Sequence, residues 1–403
     1  MKTKIYLSDI ITVLFFHISF IGLPYFPEYN MMKYAIIAII AIYLSPKLKV
    51  LFRKEYWQIN LILLLLIVVI LVTSYINKNN VESRDVWLAA IIYCAILLEG
   101  FWFFQYIGYI NILENVINLI YKLTLFYVVI TDILIFFAPN LFIQAEGYYF
   151  IGNKFSVAYT HLLLIVLFWR KSAQINLKLH SNNKYFMALL FACTIIISVF
   201  VSSASGIVGS FFLLLFIIFN KKIINVITKP LSPVLTLLFS CSFLFLFDAI
   251  LNSPLVKFII EYILGRDSTL TGRMWIYDNV FNILPGHIWT GYGHGSTYEI
   301  CKKLLGVSNT QNGLIEIQVQ YGILGVLLVI LLIYHVFKYN RKFQNSMSNM
   351  PFMGLIYMYI LLASIEITIS LEFFILLSLV TISSKAKNEN SNSQIMGERS
   401  CKN

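Results

Sequence analysis

A chain of 403 residues that is 59% hydrophobic and only 12% charged is not built like a soluble domain, which carries about 25% charged residues. Its formal net charge of +11 would suit a nucleic-acid binder, but most of its 30 lysines and arginines fall in alternate connections between apolar runs. That placement orients a multi-pass membrane protein, and it removes nucleic acid from the expected partners. Runs such as INLILLLLIVVILV (59–72) lack the alternation of barrel strands, so the fold class is all-α, a polytopic integral membrane protein.

In chain order, the apolar runs predict about twelve transmembrane helices. They lie near 7–23, 32–45, 57–76, 86–105, 116–138, 155–169, 185–202, 205–219, 231–251, 313–337, 351–368 and 371–383. Lys47, Lys49, Arg170, Lys171, Lys221, Lys338 and Arg341 then share one side, which the positive-inside rule makes cytoplasmic, with both termini on it. The start, MKTKIYLSDIITVLFFHISF, has no small-x-small cleavage site and is expected to be an uncleaved first span. Residues 1–383 form one membrane domain, and residues 384–403 read as a disordered cytoplasmic tail because they are polar and poor in apolar side chains. No internal repeat is evident, which counts against a transporter made of duplicated halves.

Three outer connections are longer than the rest: 77–85 (NKNNVESRD), 139–154 (PNLFIQAEGYYFIGNK) and 252–312. The last is too long to lack structure of its own, and it forms an expected outer-face subdomain. Inside it, Thr271 is a candidate N-cap, and Tyr277, Val280, Phe281 and Leu284 form an apolar stripe on a helix of about 12 residues that Pro285-Gly286 ends. Such a helix would lie against the membrane face with Trp275 and Tyr277 at the interface. The turn GYGHGS (291–296) has Gly291, Gly293 and Gly295 at alternate positions, a spacing that lets backbone approach a ligand closely. Beside it, Arg273 would offer a forked cation to phosphate oxygens. An interfacial arginine also serves as a headgroup anchor, and loop glycines also simply make turns; these residues alone leave both readings open.

Other polar residues are weighed against packing roles. Asp132, Asp248, Glu366 and Glu372 fall near the outer ends of their spans, within reach of water or an arginine. Glu99 and Lys122 could pair with each other or with headgroups, and His17, His161 and His335 read as satisfied core histidines. Tyr148, Tyr149 and Tyr292 are outer aromatics that could stack on a ligand. Of the five cysteines only Cys301 lies in the long outer loop, so no disulfide framework is available, and no Cys/His spacing suggests a metal.

The run DSTLTGRMWIYDNVFNILPGHIWTGYGHGSTYE, followed by SNTQNGLIEIQVQYGILGVLLVI, resembles the signature of the O-antigen polymerase and ligase superfamily, the Wzy-type repeat-unit polymerases more than the lipid A core ligases. The positions that carry the resemblance are Thr271, Gly272, Arg273, Trp275, Pro285, Gly291, Gly293, Gly295, Asn312, Gly313, Glu316, Gly322 and Gly325. The remaining spans are similar to the family in hydrophobicity and number only. Family members often carry His before the Asn, where this chain has Gln311, and the arginine that usually follows an earlier Ser-rich turn is missing from SSASGIV.

The resemblance implies glycosyl transfer at the outer face of a bacterial cytoplasmic membrane. Lipid-linked repeat units, carried on undecaprenyl pyrophosphate, would be joined into surface polysaccharide. The carrier is already activated, so no cofactor is implied. Membrane lipid and the lipid-linked oligosaccharides are the implied partners, with a chain-length regulator as a candidate protein partner. Arg273 is the first choice for charge stabilisation, with Arg266, Lys154 and Arg84 as further outer cations. Lys154 sits in IGNKFSVAY, similar to an earlier family segment. A glutamine cannot act as a base, so His294 or Glu316 would take that role, and Tyr292, Gln311 and Asn312 would contact substrate. The competing expectations are an O-antigen-type ligase, against which Gln311 counts, and a lipid-linked sugar flippase, which would need charges deep in several spans.

Overall fold

The computed structural model describes residues 6–23, 28–82, 84–139, 147–172, 181–251, 253, 254, 258, 273–342 and 349–382, with the side chains at 30, 181, 182, 243–251, 273, 274 and 342 outside that description. Among the described residues the only strands are β1 (Tyr148–Tyr149) and β2 (Gly152–Asn153), an antiparallel pair with Tyr148 opposite Asn153. The helices begin with α1 (Leu7–Phe20), α2 (Tyr29–Leu44), α3 (Trp57–Ile76), α4 (Val86–Tyr109) and α5 (Leu113–Phe137). After the hairpin come α6 (Lys154–Ser172), α7 (Ser181–Phe200), α8 (Ala204–Ile227) and α9 (Leu231–Leu251). Two short helices, α10 (Arg273–Asn279) and α11 (Thr297–Leu305), precede α12 (Gly313–Lys342), α13 (Met350–Leu362) and α14 (Leu371–Ile382).

Helices occupy each predicted apolar run. Seven are long and apolar enough to cross a membrane: Met31–Val50, Trp57–Ile76, Val86–Tyr109, Leu113–Phe137, Asn183–Phe200, Ala204–Ile227 and Gly313–Arg341. Leu7–Phe20, Leu231–Ser242, Met350–Leu362 and Leu371–Ile382 are shorter apolar helices. The chain is therefore an all-α, multi-pass membrane protein. Helix α6 is enclosed, as α13 and α14 also are: it is buried continuously from Val157 to Arg170, against α5, α7, α8 and α13. A helix enclosed by protein meets no lipid, so it can hold polar side chains at membrane depth if neighbours satisfy them. Arg170 is held by Glu114 of α5, and His161 Nε2 lies 3.1 Å from Asp132 Oδ1 of the same helix. On α14, Glu372 accepts a hydrogen bond from the Tyr359 hydroxyl at 3.3 Å. Glu99 is buried and forms no ion pair with Lys122, whose side chain is exposed.

Two features position the loops. Loops 77–85, 287–312 and 363–370 meet at one end of the bundle. There Asn77 donates to the Gly291 carbonyl at 3.2 Å, the Glu82 N–H donates to Glu299 at 2.9 Å, and Asn312 donates to the Ser364 carbonyl at 3.2 Å. The predicted amphipathic helix is shorter than expected and faces elsewhere. After α10 the backbone tightens into a 3-10 turn, Val280–Ile283, with three residues per turn. That tightening lines up Ile276, Tyr277, Val280 and Ile283 as the buried face and turns Phe281, 49% exposed, outward. Val280, Ile283 and Leu284 pack on Ile300, Cys301 and Leu305 of α11 and on Ile315 and Val319 of α12. Tyr277 is buried, its hydroxyl 2.9 Å from the Gln311 carbonyl and 3.0 Å from that of Ser364, while Trp275 stays exposed.

Helix α4 meets α14 through bare glycine surface. A Cβ at Gly100 would overlap Ile375 Cδ1, and one at Gly108 would overlap Ile382 Cγ2. Small residues allow this approach without a water-driven hydrophobic term. Gly108→Leu is expected to separate the pair and destabilise the fold by about 1–3 kcal/mol, as overpacking does. Thermal unfolding in detergent would report it; an unchanged midpoint would show that the contact contributes nothing.

Candidate functional site

The loop end of the bundle is organised by a break in α12. Gly322 stands at φ 67° and ψ −172°, a conformation that side chains resist, so the helical hydrogen bonds are interrupted there. The orphaned groups are taken up by the glycine-rich turn. The Tyr292 N–H donates to the Val319 carbonyl and the Gly293 N–H to the Gln320 carbonyl, each at 2.8 Å, while the Ile323 N–H donates to the Ile288 carbonyl at 2.9 Å. In an apolar environment each unpaired backbone group would be strongly unfavourable, so break and turn require each other.

The alternate glycines make that pairing possible. Gly291, Gly293 and Gly295 have φ of 63°, 90° and 76°. A Cβ at Gly291 would lie 2.5 Å from the Gln320 carbonyl carbon, one at Gly293 2.6 Å from Val86 Cγ1, and one at Gly295 2.7 Å from Arg84 Nη1. The close approach that these glycines permit is thus to helix backbone, to α4 and to the Arg84 guanidinium. From α3, Ser74 Oγ accepts the His294 N–H at 2.9 Å and fixes the turn from its other side.

A cavity of about 420 Å³ opens beneath the turn, lined among others by Lys33, Tyr34, Arg84, Asp85, Tyr93 and His294. Lys33 comes from the first turns of α2 and Arg84 from the loop before α4, so two cations from separate elements share one space. Asp85, one carboxylate against two cations, leaves the space net positive; its Oδ1 accepts the Leu88 N–H at 2.9 Å as the N-cap of α4. The His294 ring lies 4.4 Å from that of Tyr93, and its Nδ1 is 2.5 Å from the Tyr321 hydroxyl. Burial, reinforced by the positive charge of Arg84, pushes this imidazole down to about 3, so it is neutral at physiological pH.

Glu316 is a brace. Its Oε2 accepts the Thr310 hydroxyl at 2.9 Å, and its Oε1 accepts Gln320 Nε2 at 2.7 Å. Gln320 Oε1 in turn accepts the Gly295 N–H at 3.1 Å, so the carboxylate holds the third glycine through one intermediary. Asn312 caps α12: its Oδ1 accepts the N–H groups of Leu314 and Ile315, each at 3.0 Å. Gln311 has φ 52° and its N–H donates to Asn309 Oδ1 at 3.0 Å, which turns the chain into that cap. Tyr292 is committed within the loop, its hydroxyl donating to the Ile283 carbonyl at 2.6 Å and its ring 3.8 Å from that of His287.

The structure therefore brings Arg84, His294 and the three glycines together, with Glu316 and Asn312 behind them. Lys154 lies apart, at the start of α6 beside the hairpin, its Nζ 5.3 Å from the Phe155 ring. Arg266, Thr271, Gly272 and the Arg273 side chain fall outside the described residues; the Arg273 backbone opens α10. Lys33, Ser74, Tyr93 and Tyr321 were not singled out from the sequence. Lys33 had a signal, as the lone cation of NMMKYAIIAIIA, whereas nothing marks Tyr93 and Tyr321 among 25 tyrosines. Among the described residues no group of His, Cys, Asp and Glu is placed to hold a metal ion. Cys301 is free and buried, and burial with the nearby Glu316 pushes its thiol up to about 12.

Two outcomes follow from this geometry. Gly322→Ala would overlap the Trp289 carbonyl as well as strain the backbone, and should lower yield and thermal stability more than Gly306→Ala, where a Cβ meets open space. Equal effects would mean the turn does not depend on the break. Because His294 is held neutral when folded, its contribution to stability is full above its ordinary value of about 6.5 and is lost as pH falls from there toward about 3. Unfolding midpoints should fall more steeply on acidification in the wild type than in His294→Gln; parallel curves would show that the imidazole charges freely in place. The chain matches no protein-family model, and a comparison with curated proteins finds no match.

Proposed function

We propose that the protein polymerises lipid-linked oligosaccharide repeat units into surface polysaccharide at the outer face of a bacterial cytoplasmic membrane. In this reading all twelve long apolar runs cross, the Lys- and Arg-rich connections are cytoplasmic, and the glycine-turn end is outside. The observation that carries it is the pair of cations, Lys33 and Arg84, that share a cavity beneath the glycine-rich turn. The order of motifs around that turn, similar to the polymerase and ligase superfamily, gives the chemistry.

The donor would be a glycan on a polyprenyl pyrophosphate, and the acceptor a sugar hydroxyl of the next lipid-linked repeat. The bond from the donor's anomeric carbon to the pyrophosphate breaks, the new glycosidic bond forms, and the hydroxyl proton passes to the departing pyrophosphate, directly or through water. Negative charge grows on the pyrophosphate as it leaves, and cations already gathered at the cavity stabilise it. Arg84, set by Gly295 and able to grip two oxygens at once, is the principal cation and Lys33 the second. Arg273, at the start of α10, is the third by virtue of the motif. We assign His294 as the hydrogen-bond partner that orients Tyr321, since an imidazole with so low a proton affinity is a poor general base. Glu316 keeps the turn in register.

The test is polymer length on a sugar gel in a deletion strain carrying wild type, Arg84→Ala, Arg84→Lys, Lys33→Ala or Arg273→Ala, with abundance checked by blot. The deletion should leave single repeat units. Arg84→Ala should fail to restore the ladder at normal abundance, with a rate loss of about 10²–10³ as for removal of one charge-stabilising donor, while Arg84→Lys should restore it in part. A full ladder from Arg84→Ala would remove the cavity from the mechanism. Long polymer left unattached in the deletion strain would mean a ligase, and repeat units retained on the cytoplasmic side would mean a flippase.

A further inference from the structure

A second cavity, about 810 Å³, lies at the opposite end of the bundle. Gly322 and Lys338 are both on α12, and sixteen residues of helix separate them by about 24 Å. The cavity is formed where the start of α3, the start of α9 and the end of α12 meet, and it takes cations from two of them: Lys54 before α3, and Lys338 and Arg341 on α12. All three are exposed at its rim. Among the described residues the only acid in its lining is Glu55, whose carboxylate lies 3.8 Å from Arg53, so the described lining is net positive. Tyr334 and Tyr339 supply the amphipathic wall expected where a site straddles headgroup and acyl region.

Apolar surface leads away from these charges along the helices. On α12, Leu324, Leu327 and Leu331 are all more than 40% exposed and fall on the same helical face as Lys338. On α9, Leu231 and Leu235 are 58% and 60% exposed and run in the same way from Pro230 at the cavity. A cationic cup at the bundle end, continuous with leucine stripes along the spans, matches a molecule with an anionic head and aliphatic chains. We infer that this cavity binds the phosphate headgroup of an anionic phospholipid, with the acyl chains laid along α12 and α9. Basic pockets between membrane helices recognise such headgroups by charge, each cation contributing about fivefold in affinity. The site is separate from the proposed glycosyl-transfer cavity and does not depend on it.

The experiment uses the full chain, purified in a neutral detergent and stripped of lipid. Phosphatidylglycerol, phosphatidylcholine or inorganic phosphate is then added, and bound lipid is read by native mass spectrometry and stability by thermal shift. Phosphatidylglycerol should be retained and should raise the unfolding midpoint. Lys338→Gln should weaken its binding about fivefold, and Lys54→Gln with Lys338→Gln about 25-fold. Lys302→Gln with Lys303→Gln, exposed at the other end, should bind like wild type. Equal retention of phosphatidylcholine, or undiminished binding by the double variant at the cavity, would overturn the inference. A midpoint rise with inorganic phosphate equal to that with phosphatidylglycerol would overturn the lipid assignment and leave a soluble-anion site.

Discussion

A backbone amide in an apolar surrounding must find a partner inside the protein, and at Gly322 the helix that would supply one is broken. The rest of the loop end depends on how that demand is met. The turn at 291–295 lends its N–H groups to the carbonyls of Val319 and Gln320, Ser74 of α3 and Asn77 just beyond its end hold the turn from across, and Glu316 anchors Gln320 from behind. Each of these contacts exists because a span was opened by one residue. The opened span in turn fixes where the turn sits, and therefore where the cavity beneath it is.

The two ends of the molecule handle positive charge in different ways. At the loop end, Lys33 and Arg84 sit in a space lined mainly by aliphatic side chains, with Tyr34 and Tyr93, and its histidine stays neutral, so charge there is local and set by position. At the other end, many lysines and arginines lie in open connections, and Lys54, Lys338 and Arg341 gather around a wider cup. The first arrangement suits charge that develops during a reaction, where geometry matters. The second suits a charge that is permanently present, where attraction is enough.

Much of this was legible in the sequence, and the limit is physical. Long apolar runs must become helices because bilayer-facing backbone has no other way to pair, so the elements and their order could be read directly. Position within the bundle could not. Helix α6 reads as one more span, yet it is enclosed, with α13 and α14, because enclosure is decided by which neighbours pack around a helix. The glycines of GYGHG announced a close approach, and the structure supplies its object: helix backbone and a guanidinium. The stripe from Tyr277 to Leu284 was read at 3.6 residues per turn and included Phe281, which turns outward, in place of Ile283, because a tightened final turn changes the period that the reading assumed. Lys33 was visible as an isolated cation, but its meeting with Arg84 joins residues 51 positions apart in the chain, and no local pattern encodes that.

The bare α-carbon of Gly295 has a consequence for how such a chain can change over time. The Arg84 guanidinium occupies the space that any side chain at 295 would need. A replacement at 295 moves the guanidinium from its place in the cavity, besides straining a backbone that stands at φ 76°. The two positions, 211 residues apart, are thus coupled: a lineage with a bulky residue at 295 should carry its positive charge in a different position.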